Sequence, residues 1–276
     1  IILDVTKYMQ GILEVKATEK GGFGRVLPGT YYRDFDAETK KLGLLMPTYS
    51  ASRDICTVGG MVGNNAGGEK SLHYGKTENF VSMLRVVFDD GEVYEIKPLT
   101  LSELQTKVAS QTREGSIYKA IYDLISTHYD EITGAKPNVS KNSAGYYLWN
   151  VYDKQTGVFD LCRLIVGSQG TLGIVTEITF RLLPVNKSSK LVVIFLNDLS
   201  YIGELINTVL EYKPESIESY DDNTLKIAVK FFGDFLKKRG VVGMFKFMFS
   251  FLPEFFMMLS GGIPKIILLV ECAGET

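Results

Sequence analysis

The hydrophobic positions near the start of the chain follow short periods that turn residues interrupt. Ile1–Asp4 and Gly11–Ala17 run apolar or alternate with polar residues, which predicts two strands, and Thr6–Gln10 between them predicts a turn. Farther on, Tyr31–Leu42 places apolar residues at helical spacing among charges and stops before Gly43, which indicates an amphipathic helix. The chain therefore begins as a mixture of strands and helices.

The middle of the chain carries a hairpin signal and then a long helical pattern. Met83–Phe88 and Glu92–Ile96 are rich in strand-forming residues, and the Asp-Asp-Gly tip that ends at Gly91 is typical of a tight turn between antiparallel strands. Ser116–Ile132 keeps apolar residues three and four positions apart, which predicts a helix. Arg181–Pro184 then closes the predicted first domain.

The pattern changes after residue 185, where predicted strands and helices begin to alternate. This alternation predicts an α+β domain with an antiparallel sheet over residues 186–276, separate from a first domain over residues 1–185. The predicted elements are the strands Leu191–Leu196, Ser216–Tyr220 and Ile266–Val270 and the helices Leu199–Tyr212 and Asn223–Val229.

Composition limits the classes of protein to which the chain can belong. With 276 residues, of which 45% are hydrophobic, it is long enough for one large or two modest globular domains. The net charge of −2 lacks the basic character of nucleic-acid-binding domains, so we expect no nucleic-acid partner. Cys56, Cys162 and Cys272 lie far apart without metal-ligand spacing and no secretory signal is visible, so we expect free thiols and a cytoplasmic location.

Two glycine-rich stretches carry the strongest chemical signal. Thr57–Gly75 reads TVGGMVGNNAGGEKSLHYG, and Gly167–Glu177 reads GSQGTLGIVTE. Glycine allows the backbone to approach a ligand closely, and several bare N–H groups in one short loop suit phosphate or a flat cofactor ring. Two such loops far apart in sequence can enclose the same ligand from two sides.

The first stretch has two alternative interpretations. Gly63–Ser71 nearly matches the Walker A motif, but Glu69 separates the last glycine from the lysine, and its carboxylate would repel the phosphates. A glycine-rich turn without any ligand is the other alternative, and the second matching stretch argues against it.

Together the two stretches resemble one family of flavoproteins. These have the FAD-binding fold of the vanillyl-alcohol oxidase and p-cresol methylhydroxylase (PCMH) type, and the chain looks like their D-lactate dehydrogenase and glycolate oxidase branch. The later family signature stands unbroken from Gly167 to Thr176, and Lys141–Leu148 resembles a third family segment between the other two. The middle family signature is matched here by Gly59, Gly60, Asn65, Gly67, Gly68, Tyr74 and Gly75.

The resemblance implies the fold, the cofactor and the residues of the site. Residues 1–185 would be the second part of a PCMH-type FAD-binding domain whose N-terminal subdomain is missing, and residues 186–276 the start of a ferredoxin-like α+β cap. The glycines would approach the pyrophosphate and isoalloxazine of FAD, and the asparagines would bind the flavin edge or stabilise their loop. The implied cofactor-binding residues are Pro47, Thr57, Gly59, Gly60, Asn64, Asn65, Ala66, Gly67, Tyr74, Gly75, Gly167, Gly170, Thr171, Leu172, Gly173, Ile174 and Val175.

The resemblance also implies an oxidoreductase. The expected reaction is oxidation of a small D-2-hydroxy acid, such as D-lactate or glycolate, to the 2-oxo acid, with electrons passing from FAD to a quinone or cytochrome. The alternatives are a sugar-lactone oxidase, an amino-sugar reductase, an alkyl ether-lipid synthase and a non-catalytic remnant of the fold. We expect His73 and His128 on the surface, so the sequence assigns no catalytic base and no metal site, and this stretch alone is expected to be inactive.

Val241–Leu259 is an apolar segment of nearly membrane-spanning length. Lys246 and the Pro-Glu pair at 253–254 interrupt it, which makes a spanning helix costly, and the basic residues Lys237–Arg239 precede it. The pattern leaves open a buried cap helix, a spanning helix and a helix on an anionic membrane surface. The last of these would make the protein peripheral on the cytoplasmic membrane.

Overall fold

The computed structural model describes residues 2–139, 142, 144–186, 188–231, 233 and 264–274. The chain divides into two compact units, Ile1–Val185 and Asn186–Thr276, and each is described by itself. The apolar segment Val241–Leu259 lies outside the described residues. Over the ranges given above, no helix is both long and apolar enough to cross a bilayer.

Antiparallel strands and short helices make up both units, which confirms the predicted α+β class. In chain order the strands are β1 (Ile12–Thr18), β2 (Gly21–Val26), β3 (Leu44–Leu45), β4 (Val81–Val87), β5 (Val93–Ile96), β6 (Leu99–Thr100), β7 (Tyr152–Asp153), β8 (Val158–Phe159), β9 (Ile174–Pro184), β10 (Ser188–Leu196), β11 (Ser216–Asp221) and β12 (Ile266–Gly274). The α-helices are α1 (Tyr32–Lys41), α2 (Val58–Gly63), α3 (Ser71–Tyr74), α4 (Leu101–Ala109), α5 (Arg113–Thr127), α6 (Tyr129–Gly134), α7 (Cys162–Ile165), α8 (Ile202–Glu211) and α9 (Asp222–Lys230).

The largest sheet of the first unit has the strand order β1-β2-β9-β4-β5, with every neighbour antiparallel, and β3 pairs with the end of β9. Strand β9 is therefore central, although β2 and β4 on its two sides lie far from it in sequence. Ile178, Phe180 and Leu182 alternate along one face of β9 and are buried. The ring of Phe180 lies 5.8 Å from that of Phe35 on α1, so burial of these apolar side chains holds the helix on the sheet.

Local sequence signals produce the expected elements in this unit. Strands β4 and β5 form the predicted hairpin, with Gly91 in its turn at φ +80°, a conformation that glycine adopts without steric cost. The Glu92 N–H donates a hydrogen bond to the Asp90 carboxylate at 3.1 Å, which stabilises the turn. The predicted amphipathic helix is α1, within one residue of its expected ends.

A small sheet of order β6-β8-β7 packs with α4 and α5 in the same unit. Thr100 and Glu103 form a capping box that starts α4, because each side chain accepts a hydrogen bond from the backbone N–H of the other. The buried Phe159 ring lies 6.0 Å from that of Tyr118 and 6.2 Å from that of Tyr152. This aromatic cluster fixes α5 against the small sheet.

Two predicted elements of the first unit are wrong in part. The strand expected at Ile1–Asp4 does not form over residues 2–4, because the Asp4 carboxylate accepts hydrogen bonds from the N–H (2.8 Å) and hydroxyl (2.6 Å) of Thr6 and so begins the turn. The helix expected at Ser116–Ile132 is divided into α5 and α6, because His128 leaves the helical conformation at φ −112° and ψ 27°.

The second unit contains a sheet of order β10-β12-β11 together with α8 and α9. Strand β12 lies in the middle and places Glu271 opposite Leu191 of β10 and Ser216 of β11. Leu268 and Val270 of β12 are buried. The strands and helices predicted for this region are present, with their ends shifted by a few residues. The interpretation of this unit as a ferredoxin-like cap stays a prediction.

Candidate cofactor-binding site

The first glycine-rich stretch forms a short helix and the turn that follows it. The Thr57 hydroxyl accepts a hydrogen bond from the Gly60 N–H at 3.2 Å and so caps the N-terminus of α2. The helix ends at Gly63. Asn65 follows at φ +46°, a left-handed conformation that asparagine tolerates better than most residues, and turns the chain away from the helix.

The second stretch connects α7 to β9 through a tight loop. Gly167, Gln169 and Gly170 all have left-handed backbone conformations, with φ values of 86°, 56° and 73°. Loops of this kind point backbone N–H groups out of the chain in a way that regular strands and helices do not. Strand β9 then begins at Ile174.

The structure brings the two stretches into direct contact. The Gly167 N–H donates to the Val62 carbonyl at 2.8 Å, and the Gln169 N–H donates to the Gly63 carbonyl at 2.9 Å. The Gln169 side-chain amide also donates to the Asn64 amide oxygen at 3.0 Å. The end of α2 and the loop before β9 therefore form one rigid surface, although about a hundred residues separate them.

One donor group at this surface has no partner. Asn65 is only 2% exposed, and its amide oxygen accepts a hydrogen bond from the Glu78 N–H at 3.0 Å. Its Nδ2 is buried without a hydrogen-bond partner among the described residues. Because a buried unpaired donor is costly, this group indicates that an acceptor from a bound ligand completes the site.

The same surface leaves open space above its backbone. A Cβ at Gly63 would lie 4.0 Å from its nearest neighbour, the Gln169 Cα, and a Cβ at Gly170 would meet no atom within 4 Å. At Gly60 the nearest atom would be the Thr57 hydroxyl at 3.3 Å. Open backbone beside an unpaired amide donor fits a flat cofactor with many acceptor atoms, such as FAD.

Other glycines of the two stretches make room for the protein itself. A Cβ at Gly59 would come 2.6 Å from the Pro28 side chain, and one at Gly173 would come 2.5 Å from Val86 Cγ1. These glycines therefore have a packing role that is independent of any ligand. The glycines in this group are Gly59, Gly67, Gly68, Gly75 and Gly173.

The remaining predicted site residues lie at several depths around this surface. The Thr171 hydroxyl donates to the Ser168 carbonyl at 2.5 Å, and Ile174, at the start of β9, is 43% exposed. Contact of any of them with FAD stays a prediction. Pro47 and Ala66 are buried, whereas Tyr74, Leu172 and Val175 are half-buried.

The third family segment contacts the second stretch and Lys76, the residue directly after the first stretch, and the sequence did not indicate these contacts. The Tyr146 hydroxyl lies 2.8 Å from the Thr171 hydroxyl, within hydrogen-bond distance. The Lys76 ammonium donates to the Tyr147 hydroxyl at 2.8 Å and to the backbone carbonyl of Asn142. No spacing or composition signal in the sequence marks Lys76 or Tyr147, because the pairing joins positions 71 residues apart.

The Walker A alternative for Gly63–Ser71 does not fit the local structure. A P-loop joins a strand to a helix, whereas here the motif begins at the end of a helix, α2. The Gly68 N–H donates to the Ser71 hydroxyl at 2.7 Å, so this N–H is used inside the loop rather than offered to a phosphate.

The structure assigns no base or metal to the site. His73 is exposed beside Tyr74, and the Nδ1 atom of His128, also exposed, lies 3.0 Å from the Glu131 carboxylate. In the part of the chain that the structure describes, no three His, Cys, Asp or Glu side chains are grouped to hold a metal ion.

Comparison with known proteins agrees with the geometry of the loops. Residues 1–97 match the model of a family described as an FAD binding domain. The chain is 30% identical to a D-2-hydroxyglutarate dehydrogenase of Pseudomonas putida over 83% of its own length and 23% of that protein. It is 27% identical to glycolate oxidase subunit GlcD of Bacillus subtilis, over 80% of this chain and 36% of that protein. It is also 27% identical to a D-lactate dehydrogenase of Anaerostipes hadrus, over 76% of this chain and 33% of that protein.

A solved structure of an alkyldihydroxyacetonephosphate synthase has the same fold. The two align with a TM-score of 0.59 and 15% identity, over 98% of this chain and 38% of that chain. The chain spans 23% of the Pseudomonas putida protein and 36% of the Bacillus subtilis protein.

The chain thus contains an FAD-binding domain, and FAD is its cofactor. The match over residues 1–97 and the relatives named for D-2-hydroxyglutarate, glycolate and D-lactate are consistent with the D-lactate dehydrogenase and glycolate oxidase branch of the FAD-linked oxidases. This confirms the resemblance drawn from the two glycine-rich stretches. The part that each residue takes in holding FAD stays a prediction.

Proposed function

We propose that the protein containing this chain is an FAD-dependent dehydrogenase that oxidises a small D-2-hydroxy acid to the 2-oxo acid. Its relatives include dehydrogenases named for D-2-hydroxyglutarate and D-lactate and an oxidase named for glycolate, which supports this substrate class. When bound, FAD supplies the hydride-accepting chemistry that no amino-acid side chain provides.

The contact between the two glycine-rich loops is the observation that carries the proposal. The hydrogen bonds from Gly167 and Gln169 to the end of α2 hold the two loops at a fixed spacing. Within that frame, the unpaired Asn65 Nδ2 would donate a hydrogen bond to the cofactor, and the open space at Gly63 and Gly170 would let the cofactor approach the backbone. In this proposal these residues bind and orient the cofactor, and no residue is assigned as the base that takes the substrate's hydroxyl proton.

The electron acceptor and the location belong to the same proposal. We propose a quinone or cytochrome acceptor and a cytoplasmic protein that associates peripherally with the membrane through Val241–Leu259, which lies outside the described residues. Co-sedimentation with liposomes of anionic and of neutral lipid tests the association. Protein that stays in the supernatant with both lipids would contradict it.

A matched pair of glycine substitutions tests the cofactor site. Gly63 and Gly134 are each the last residue of a six-residue helix, and neither has a neighbouring atom closer than 4.0 Å to its added Cβ. Gly63→Leu should weaken FAD binding about tenfold or more, because the leucine side chain would occupy space proposed for the cofactor. A steric cost of about 1.4 kcal/mol is enough for a tenfold loss of affinity. Gly134→Leu should leave FAD binding unchanged, and both variants should keep the unfolding midpoint within a few degrees.

Two measurements are needed. Absorbance gives the FAD content, and reduction of a dye in the presence of D-2-hydroxyglutarate, D-lactate or glycolate gives the activity. Normal FAD content in a stably folded Gly63→Leu protein would remove this loop from the site. A yellow wild-type protein that oxidises none of the three acids would refute the substrate class while leaving the cofactor site intact.

A further inference from the structure

Lys76 is a buried lysine at the edge of the cofactor surface. It follows Gly75 at the end of the first glycine-rich stretch and is only 9% exposed. Its aliphatic chain packs over Gly67, where an added Cβ would lie 3.2 Å from Lys76 Cγ. Lysine is rarely buried to this extent unless its charge has a partner.

The partners of the Lys76 ammonium in the described chain are neutral. Nζ donates to the Tyr147 hydroxyl and to the Asn142 carbonyl, and it lies 4.8 Å from the centroid of the Tyr147 ring. No carboxylate of the described residues lies within ion-pair distance of it. Burial lowers the pKa of Lys76, and the charge of Glu78 opposes this shift only in part.

A second observation places this cation beside the cofactor surface. Asn65 carries the buried amide donor without a partner, and its amide oxygen accepts a hydrogen bond from the N–H of Glu78, two residues after Lys76. Tyr146, next to the tyrosine that holds Lys76, lies within hydrogen-bond distance of Thr171 on the second loop. The surface therefore holds a cation whose hydrogen-bond partners are neutral and an amide donor without a partner, and an anionic, acceptor-rich ligand would balance both.

We propose that Lys76 is the positive charge of the flavin site, and that it stabilises the negative charge which the cofactor gains on reduction. The proposal rests on the proposed function. Oxidation of the 2-hydroxy acid transfers a hydride from C2 to the cofactor while the hydroxyl proton leaves to a base. The cofactor gains two electrons and one proton in that step, so it becomes more negative by one charge. A fixed cation nearby favours this reduced state over the oxidised one.

A substitution that removes the charge of Lys76 but keeps the length of its side chain tests the proposal in the full-length holoprotein. Lys76→Met should lower the ratio of reduced to oxidised flavin about tenfold at a fixed potential, which is about 30 mV for a two-electron couple. A unit charge roughly 10 Å away at an effective dielectric constant of about 20 produces an effect of that size. Lys76→Arg should restore the wild-type ratio. Lys16→Met removes an exposed charge from β1 and should change nothing.

The measurement is the equilibrium between the flavin and a reference dye, with the unfolding midpoint of the apoprotein recorded alongside. A wild-type ratio in Lys76→Met would overturn the proposal, and so would a change in FAD affinity without a change in the ratio. If the methionine variant retains no FAD, Tyr147→Phe decides, because it removes one acceptor of the ammonium and should move the ratio by a smaller factor. An unchanged ratio there would overturn the proposal too. A wild-type protein without FAD would instead refute the proposed function.

Discussion

Gly173 leaves no space for a side chain, so Gly173→Ala should destabilise the first unit before any cofactor binds. The added methyl would lie 2.5 Å from Val86 Cγ1 and 3.1 Å from the Val87 carbonyl oxygen. Val86 is fully buried on β4, so it cannot move away cheaply. Overpacking of this kind costs about 1–3 kcal/mol. For a domain of about 150–250 residues, that lowers Tm by between about 2 and 12 °C.

Thermal unfolding of the apoprotein, followed by circular dichroism, measures this effect without FAD. Gly134→Ala is the control, because its methyl would meet no atom within 4 Å and the backbone at Gly134 is not in the left-handed region. Its Tm should stay the same or rise. If Gly173→Ala unfolds at the wild-type temperature while the control behaves as expected, the packing argument is wrong. If it unfolds early, loss of FAD from any Gly173 variant does not by itself locate the flavin.

Two further predictions concern buried titratable groups on one short stretch. Burial raises the pKa of Asp160 above its ordinary value, despite hydrogen bonds from the Cys162 N–H at 3.0 Å and Arg163 Nε at 3.3 Å. The folded state then binds more protons than the unfolded state, so stability falls as pH rises through that window. Asp160→Asn should abolish this fall in stability. The measurement is the urea midpoint of unfolding at several pH values from about 4 to 7. If the midpoint of the variant falls with pH as steeply as that of the wild type, Asp160 is not the source of the fall. Cys162 is 1% exposed and burial raises its pKa, so it should resist thiol labelling in the native protein while the half-buried Cys56 reacts. Mass spectrometry of labelled peptides measures this, and equal labelling of the two would contradict the burial of Cys162.

Features encoded by neighbouring residues could be predicted from the sequence. The β4–β5 hairpin follows from its Asp-Asp-Gly turn, and α1 follows from the spacing of apolar residues within ten positions. The break at His128 could not be predicted, because the apolar spacing continues across it. The apolar start at Ile1–Asp4 indicated a strand, but pairing is a tertiary property, and Ile2 is 96% exposed and pairs with none of the strands that the structure describes.

The candidate site also has some features that the sequence shows and others that require the structure. Its glycine-rich loops stand out in the sequence, because their composition is unusual over a few residues. The separation of the glycines into those that face open space and those that pack against protein requires coordinates, as Gly63 and Gly173 show. The pairing of Lys76 with Tyr147 could not be found, because a single lysine in a polar loop has no distinguishing pattern and nothing links it to the third family segment, in which Tyr147 lies.

The central position of β9 determines when the chain can fold during its synthesis. Strands β2 and β4 pair with β9 and not with each other. The large sheet therefore cannot be completed until β9, which ends at residue 184, has left the ribosome. Until then, a nascent chain of more than 150 residues exposes two unpaired strand edges and the apolar faces beside them. Such long-range pairing also makes spontaneous folding slow. Production of this protein should therefore depend on chaperones that bind the nascent chain, and slower translation upstream of β9 should increase aggregation.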